Sequence, residues 1–434
     1  MEYPKIFRMR QKFDAPTVKD VPAAVRAEVR RIGPGARIKA GQSVAITVGS
    51  RGVANVDVIA RTLAEEMKAL GARPFIVPAM GSHGGGTAEG QAEVLARYGV
   101  TEQAMGCPVR SSMEVAEVGE TDFGMKVYFD KFAYGADHVI VFNRVKPHTG
   151  FRGEIESGLF KMMLIGLGKH KGASLYHRAI VHHSFDKIVR AVGQMVLTKC
   201  KVAFGLATLE NGYDETAMIR AVRPEEFEPV EKELQKQAKS WCPKLPFKEA
   251  DLLIVDEMGK DISGAGLDTN VIGRKGNDRK AQPDEWPKIL HIFTRDLTET
   301  THGNAVGVCF ASFTTKRLVD KIDRHSTYIN SITGQHASAA HVPMYYDTDR
   351  EALEKAAFVS IGLTEPPDAK VMWIKNTLDL TEVEASEVYW KEAQGRPDLE
   401  VLCEPRPMRL GADDNLPSFE EMGRSLTRAA VAAK

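Results

Sequence analysis

Two stretches of this chain hold residues able to move protons or to hold a cofactor. The first, residues 143–161 (NRVKPHTGFRGEIESGLFK), sets His148 and Lys161 among glycines, and Gly166, Gly168, His170 and His177 follow it. The second, residues 72–87 (ARPFIVPAMGSHGGGT), ends a short apolar run in His83, three glycines and Thr87. Imidazole titrates near neutral pH, so a histidine at either place can serve as base, acid or metal ligand. Two histidines on separate strand-end loops suggest a site approached from two faces.

Each residue has a structural alternative. At His83 the glycines let backbone approach a ligand, and the helix expected after Thr87 offers N–H groups to an anion; a histidine in a tight turn is the competing explanation. His148 makes the same case beside Lys146 and Pro147, against a cis-proline turn. Lys161 lies on an apolar segment (Leu159, Phe160, Met162, Met163, Leu164), where desolvation lowers an amine pKa and favours a nucleophilic or covalently attached role. A lysine that snorkels to solvent is the alternative. His177 offers an imidazole to a metal, yet lone helical histidines are more often packing groups. His182 with His183 and His336 with His341 have equally loose metal-like spacing. Arg51, after Ser50, can pair with a carboxylate or phosphate or be a solvated turn residue. In the second half Glu257, Lys260, Asp261, Asp268 and Asn270 form one polar cluster and Thr301, His302 and Asn304 another. Both suit polyhydroxy or carboxylate recognition, and equally suit hydrogen-bonded loops.

The elements that must position these groups follow from hydrophobic period. Residues 43–49 read as a strand, 56–70 as a helix stopped by Gly71, 74–78 as a strand, 87–98 as a helix ending before Gly99, and 138–142 as another strand. That alternation points to parallel sheet with covering helices. Ligands in such sheets sit beyond the carboxyl ends of strands, and Arg51, His83 and His148 each follow a predicted strand by a few residues, so they can share one rim. Charge and proline between Arg223 and Phe247 mark a connection. The expected division is a catalytic, cofactor-binding α/β domain over 1–247 and a substrate-closing α/β domain over 248–434, with the tail after about 405 returning to the first domain or trailing. The fold class is α/β: two domains with mainly parallel sheets and an active-site cleft between them.

Composition narrows the function. At 434 residues, 43% hydrophobic and 27% charged, the chain is too long for one core. Lysine plus arginine and aspartate plus glutamate number 58 each, without a basic block, which points away from nucleic acid and towards a small-molecule partner. The start lacks an apolar signal core and runs such as 162–167 are too short for a membrane span, so a cytoplasmic protein is expected. Five scattered cysteines argue against a disulfide frame, an iron–sulfur centre or structural zinc.

Taken together, Ser50 with Arg51, the run Met80 to His83 with Thr87, and Lys146 to Phe151 with Gly158, Lys161 and Gly166 resemble the lactate racemase family. That family uses nickel held in a nickel-pincer nucleotide (pyridinium-3,5-bisthiocarboxylic acid mononucleotide). The resemblance is close over about residues 40–180 and loose beyond. It implies Arg51 as the group assisting the substrate, His83 and His148 as opposed acid/bases, Lys161 as the cofactor tether and His177 as the nickel ligand. Ser50, Gly84, Gly85, Thr87 and Gly158 become cofactor contacts, and cofactor-synthesis proteins transient partners. Three departures stand out. Glu154, Ile155 and Glu156 lengthen the gap from His148 to Lys161, the arginine loop lacks an aspartate and a proline, and Thr301, His302 and Asn304 stand where a glutamine and lysine pair would hold lactate. A different substrate is implied.

The chemistry suits these parts. The hydrogen on a carbon bearing hydroxyl and carboxylate is barely acidic, so inversion is easier by hydride transfer, with an imidazole to take the hydroxyl proton from each stereoisomer. The resulting expectation is a racemase or epimerase of a 2-hydroxy acid. The alternatives are an NAD-dependent hydroxy-acid dehydrogenase, against which the glycine turn lacks the dinucleotide fingerprint, and a non-catalytic organic-anion-binding protein. Whether copies associate into a homo-oligomer stays open.

Overall fold

The computed structural model describes residues 1–13, 16–50 and 52–432, with 426–432 as backbone alone. The chain divides into two compact units, residues 14–242 and residues 1–13 with 243–434.

After β1 (Lys5–Gln11), which belongs to the second unit, the first unit runs α1 (Val21–Ile32), β2 (Ser43–Val48), α2 (Val56–Ala69), β3 (Arg73–Pro78), α3 (Ala88–Arg97), α4 (Glu102–Met105), β4 (Val115–Glu120), β5 (Lys126–Asp130), α5 (Lys131–Gly135) and β6 (His138–Arg144). It continues with α6 (Gly158–Lys161), α7 (Lys169–Ala179), α8 (Phe185–Lys199), β7 (Val202–Glu210), β8 (Thr216–Val222) and α9 (Phe227–Trp241). Its five-stranded sheet has the order β3-β2-β6-β7-β8, parallel except for β8. Val44, Ala45, Ile46 and Val48 of β2 are buried without remainder, because a parallel strand is covered on both faces and so reads as a continuous apolar run. Val25, Val29, Ile59, Leu63 and Met67 from α1 and α2 cover one face. Phe160, Ile188, Val192 and Phe227 from α6, α8 and α9 cover the other.

This order creates a switch point. The chain leaves β2 through α2 to β3 on one side, and leaves β6 through α6–α8 to β7 on the other. Helices therefore diverge from the carboxyl ends of β2 and β6, and an open α/β sheet gives a ligand room at such a place.

The second unit carries a nine-stranded sheet that adds β9 (Glu249–Met258), β10 (Lys288–Leu297), β11 (Phe313–Thr315), β12 (Met344–Tyr346), β13 (Val371–Ile374), β14 (Glu382–Ser386), β15 (Leu399–Val401) and β16 (Arg406–Pro407) to β1. The half from β12 to β13 is parallel, and β14, β1, β15 and β16 join antiparallel. The division expected at 247 shifts in two respects. Residues 1–13 leave the first unit because β1 pairs with β14, β15 and β16. The segment after 405 stays with the second unit for the same reason, since β16 is hydrogen-bonded to Lys5 and Ile6 of β1. Among the described residues no helix is long and apolar enough to cross a membrane.

Candidate functional site

The rim of the first unit is built on three adjacent parallel strands. β2 ends at Val48 and is followed by Ser50, whose hydroxyl lies 2.5 Å from His83 Nδ1 beyond β3. Ser50 O accepts the Tyr98 hydroxyl at 2.9 Å. β6 ends at Arg144, which donates to Gly52 O at 3.2 Å and pairs with Glu210 at the end of β7, while Glu210 also accepts the Ala54 N–H at 2.7 Å. The turn after β2 is thus held from three neighbours. Arg51, expected in this turn, lies outside the described residues. Because β2 stands between β3 and β6, the loops bearing His83 and His148 start two strand spacings apart, about 10 Å. That is room for a small acid and not for a direct contact of the strand ends.

The His148 loop is braced from below. Buried Glu156 accepts the backbone N–H of His148 at 3.0 Å and of Gly153 at 3.3 Å, and pairs with Lys239 at 2.8 Å. Gln235 Oε1 accepts the Glu156 N–H, and Glu231 accepts the Phe160 N–H at 3.2 Å. Glu231, Gln235 and Lys239 recur every four residues along α9, so they lie on one helix face. Burial pushes the Glu231 carboxyl well above the usual range, and the N–H groups of Phe160 and Leu159 oppose that shift. The residues that lengthen the gap from His148 to Lys161 are therefore the loop's frame: Ile155 is fully buried and Glu156 ties the loop to α9. The one cis peptide bond among the described residues is Trp286–Pro287, so Pro147 sits in a trans bond.

Lys161 and His177 are brought together by a break in their helix. A straight α-helix would set residues sixteen positions apart ~24 Å from one another along its axis. Here residues 162–166 wind as a π-helix and Lys169 takes a left-handed φ of 53°, irregularities that concentrate at functional sites. Lys161 Nζ then lies 5.6 Å from the Phe151 ring centre, and Tyr176 meets the same ring edge-on at 5.7 Å. His177 is half-buried at 4.9 Å from the Tyr176 ring. Its pKa is held below the ordinary value, first by burial and then by the Lys161 ammonium, which keeps the imidazole neutral. His148 stacks on Phe151 at 3.9 Å and Phe151 on Phe185 at 4.2 Å. The Tyr176 hydroxyl is buried with no hydrogen-bond partner. His170 and His182 are exposed, and His183 leans on Phe123.

Three groups at this site escaped the sequence reading. Lys169 Nζ is fully buried, donating to Gln91 Oε1 at 3.0 Å and to Pro78 O at 2.5 Å, and lies 3.1 Å from the equally buried Asp130. Gln91 in turn donates to Gly81 O and His83 O at 2.9 and 3.3 Å. The signal was present, since a lysine inside the glycine-rich run 166–172 is out of place unless paired.

Other expected contacts have structural work of their own. Thr87 caps α3 through Gly90 N–H, and a Cβ at Gly84 would meet Gly90 at 2.6 Å. Gly85, with φ of 67°, has open space around its Cα. Gly158 has φ of 85° and a Cβ there would fall 2.4 Å from Glu231. In the second unit the Thr301 hydroxyl donates to Asn304 O and accepts the Lys260 N–H, while Asn304 accepts the Val306 N–H. His302 is exposed at a left-handed φ of 50°. Asp268 accepts the Asn270 N–H, and Asp261 accepts the Thr298 hydroxyl, so much of the polar cluster at 257–270 is tied up in loop geometry. Among the described residues no group of three or more His, Cys, Asp or Glu side chains is arranged to hold a metal ion.

No curated protein matches this chain. Among solved structures it is similar to the lactate racemase apoprotein from Thermoanaerobacterium thermosaccharolyticum, at 12% identity and a TM-score of 0.45 over 77% of this chain and 92% of that one. It is also similar to a protein from Thermotoga maritima, at 11% identity and a TM-score of 0.49 over 82% of this chain and 96% of that one. The sequence of residues 14–188 matches the model of the lactate racemase N-terminal domain. That span holds the strand-end rim, the braced loop and the broken helix, and residues 14–188 belong to the lactate racemase N-terminal domain family.

Proposed function

We propose that this protein is an isomerase, a racemase or epimerase of a 2-hydroxy acid, working with a nickel-pincer nucleotide. Lys161 tethers the nucleotide and His177 binds its nickel. Bound there, the nucleotide supplies a reversible hydride acceptor for the carbon that carries the hydroxyl. His83 and His148 attend that hydroxyl from the two sides of the β2 end, and Arg51 takes the carboxylate. Ser50 orients His83, and the second unit's loop, through His302 and Asn304, contributes to recognition of an acid other than lactate.

The observation that carries this reading is the convergence of Lys161 and His177 on Phe151 and Tyr176 despite sixteen intervening positions. The residues fit such a group. A neutral imidazole is the form that ligates metal, and His177 is kept neutral by burial and by Lys161. The Tyr176 hydroxyl beside it is an unmet buried donor. The test is to produce the chain together with cofactor-synthesis proteins and to measure nickel content, intact mass and inversion of short hydroxy acids and sugar acids. His177→Ala should deplete nickel, Lys161→Ala should remove any mass adduct, and His83→Ala or His148→Ala should lose inversion while keeping the metal. Nickel-free protein with no mass adduct would reject the reading in favour of a nicotinamide-dependent dehydrogenase or a binding protein.

A further inference from the structure

The two rim histidines are not set up alike. His148 Nδ1 accepts two backbone N–H groups, from Gly150 at 2.9 Å and from Phe151 at 3.2 Å. An N–H cannot accept, so Nδ1 carries no proton and the neutral ring holds its proton on Nε2. The arrangement is locked by its surroundings. The ring stacks on Phe151 with 9° between the planes, and Glu156 holds the His148 and Gly153 N–H groups on either side of the turn. A proton placed on Nδ1 would face two donors and break both bonds. His83 differs, because its Nδ1 meets the Ser50 hydroxyl, which can accept as well as donate, so Nε2 of His83 can be left with a lone pair.

We propose that His148 acts as a neutral hydrogen-bond donor through Nε2 to the substrate oxygen, and that His83 alone exchanges the hydroxyl proton. This rests on the function proposed above and divides a pair of acid/bases into one base and one electrophile. His83 Nε2 takes the proton as the C–H hydrogen leaves as hydride, and Nδ1–H then donates to Ser50. His148 keeps its own proton throughout and steadies negative charge on the same oxygen. For His148 to serve as base its proton must move from Nε2 to Nδ1, with the turn at 149–151 opening. The stereoisomer whose hydroxyl faces His148 is therefore disfavoured in the conformation described.

Side-chain nitrogen spectra of histidine-labelled full-length protein at neutral pH read the tautomer directly, with His148 assigned by its loss in His148→Gln. The expected result is an Nε2-protonated ring; an Nδ1-protonated or doubly protonated ring overturns the proposal. Inversion assays on nickel-loaded protein then separate donor from base, since glutamine donates but does not take up a proton. His148→Gln should stay within about tenfold of the unaltered protein and His148→Ala should fall about 10²–10³-fold, as when one donor to a developing oxyanion is lost. His83→Gln should lose about 10²–10⁴-fold. Equal loss in His148→Gln and His148→Ala with nickel retained overturns the donor role. Absence of turnover in the unaltered protein counts against the proposed function, and the nitrogen spectra then decide the tautomer by themselves.

Discussion

Lys169→Met should destabilise the first unit more than any change at an exposed charge. Lys169 Nζ and Asp130 Oδ2 lie 3.1 Å apart with both side chains at 0% exposure. Methionine fills similar space but leaves Asp130 without its counter-charge and Pro78 O and Gln91 Oε1 without their donor. Removing one partner of a buried pair costs about 3–5 kcal/mol. In a unit of this size each kcal/mol lowers the melting temperature by about 2–4 °C, so a drop of about 10 °C is expected. Asp130→Asn added to Lys169→Met should restore most of it, because the stranded charge is gone. The pH dependence has a definite sign. Burial already raises the Asp130 pKa against the opposing pull of Lys169, and without Lys169 the native state binds a proton that the unfolded chain releases above its ordinary carboxylate value. Stability of the variant therefore falls as pH rises through that window, and its deficit is smaller near pH 5 than near pH 8. Thermal unfolding followed by circular dichroism, with hydrogen exchange to localise the loss to α7 and α3, measures all three. A loss under about 1 kcal/mol, far below the 3–5 of a broken buried pair, or a double variant no better than the single, would refute the account of this pair.

Three further outcomes are expected. Lys161→Met should raise the His177 pKa, since it removes the cation that helps burial depress it; histidine titration by NMR checks this, and an unchanged value would separate the two groups. Gly158→Ala meets both a left-handed φ and Glu231 at 2.4 Å, and should cost more than the roughly 1 kcal/mol of an ordinary unfavourable glycine replacement; a denaturant melt with unaltered midpoint would contradict it. Glu156→Ala strands the His148 and Gly153 N–H groups and should cost about 1–3 kcal/mol per buried group left unpaired, with the His148–Phe151 turn exchanging amide protons faster; equal exchange would show that Glu156 is not the brace.

Much of the first unit was legible because its signals are local. Continuous apolar runs at 43–48, 73–78 and 138–144 mark strands buried on both faces, and glycines 71 and 99 stop the helices between them. The placement of Ser50, His83 and His148 on one edge followed from that grammar. The tertiary supports did not follow. Nothing near His148 in the sequence points to Glu231, Gln235 and Lys239, more than eighty positions away, because an amphipathic helix reads the same whether its polar face meets water or a loop. The π-turn at 162–166 was hidden as well, since the apolar run there is compatible with a plain α-helix. Residues 1–13 were misplaced because a single strand carries no mark of which sheet will take it.

The comb of side chains on α9 ties the length of the loop after β6 to a helix far along the chain. An insertion or deletion between His148 and Lys161 would leave Glu231, Gln235 and Lys239 facing the wrong amides, so the two segments are expected to change in concert as the protein diversifies. Relatives with a shorter loop have no need of that comb and are free to carry ordinary apolar residues on the same helix face. Grafting the longer loop into such a relative should succeed only when the matching α9 residues travel with it.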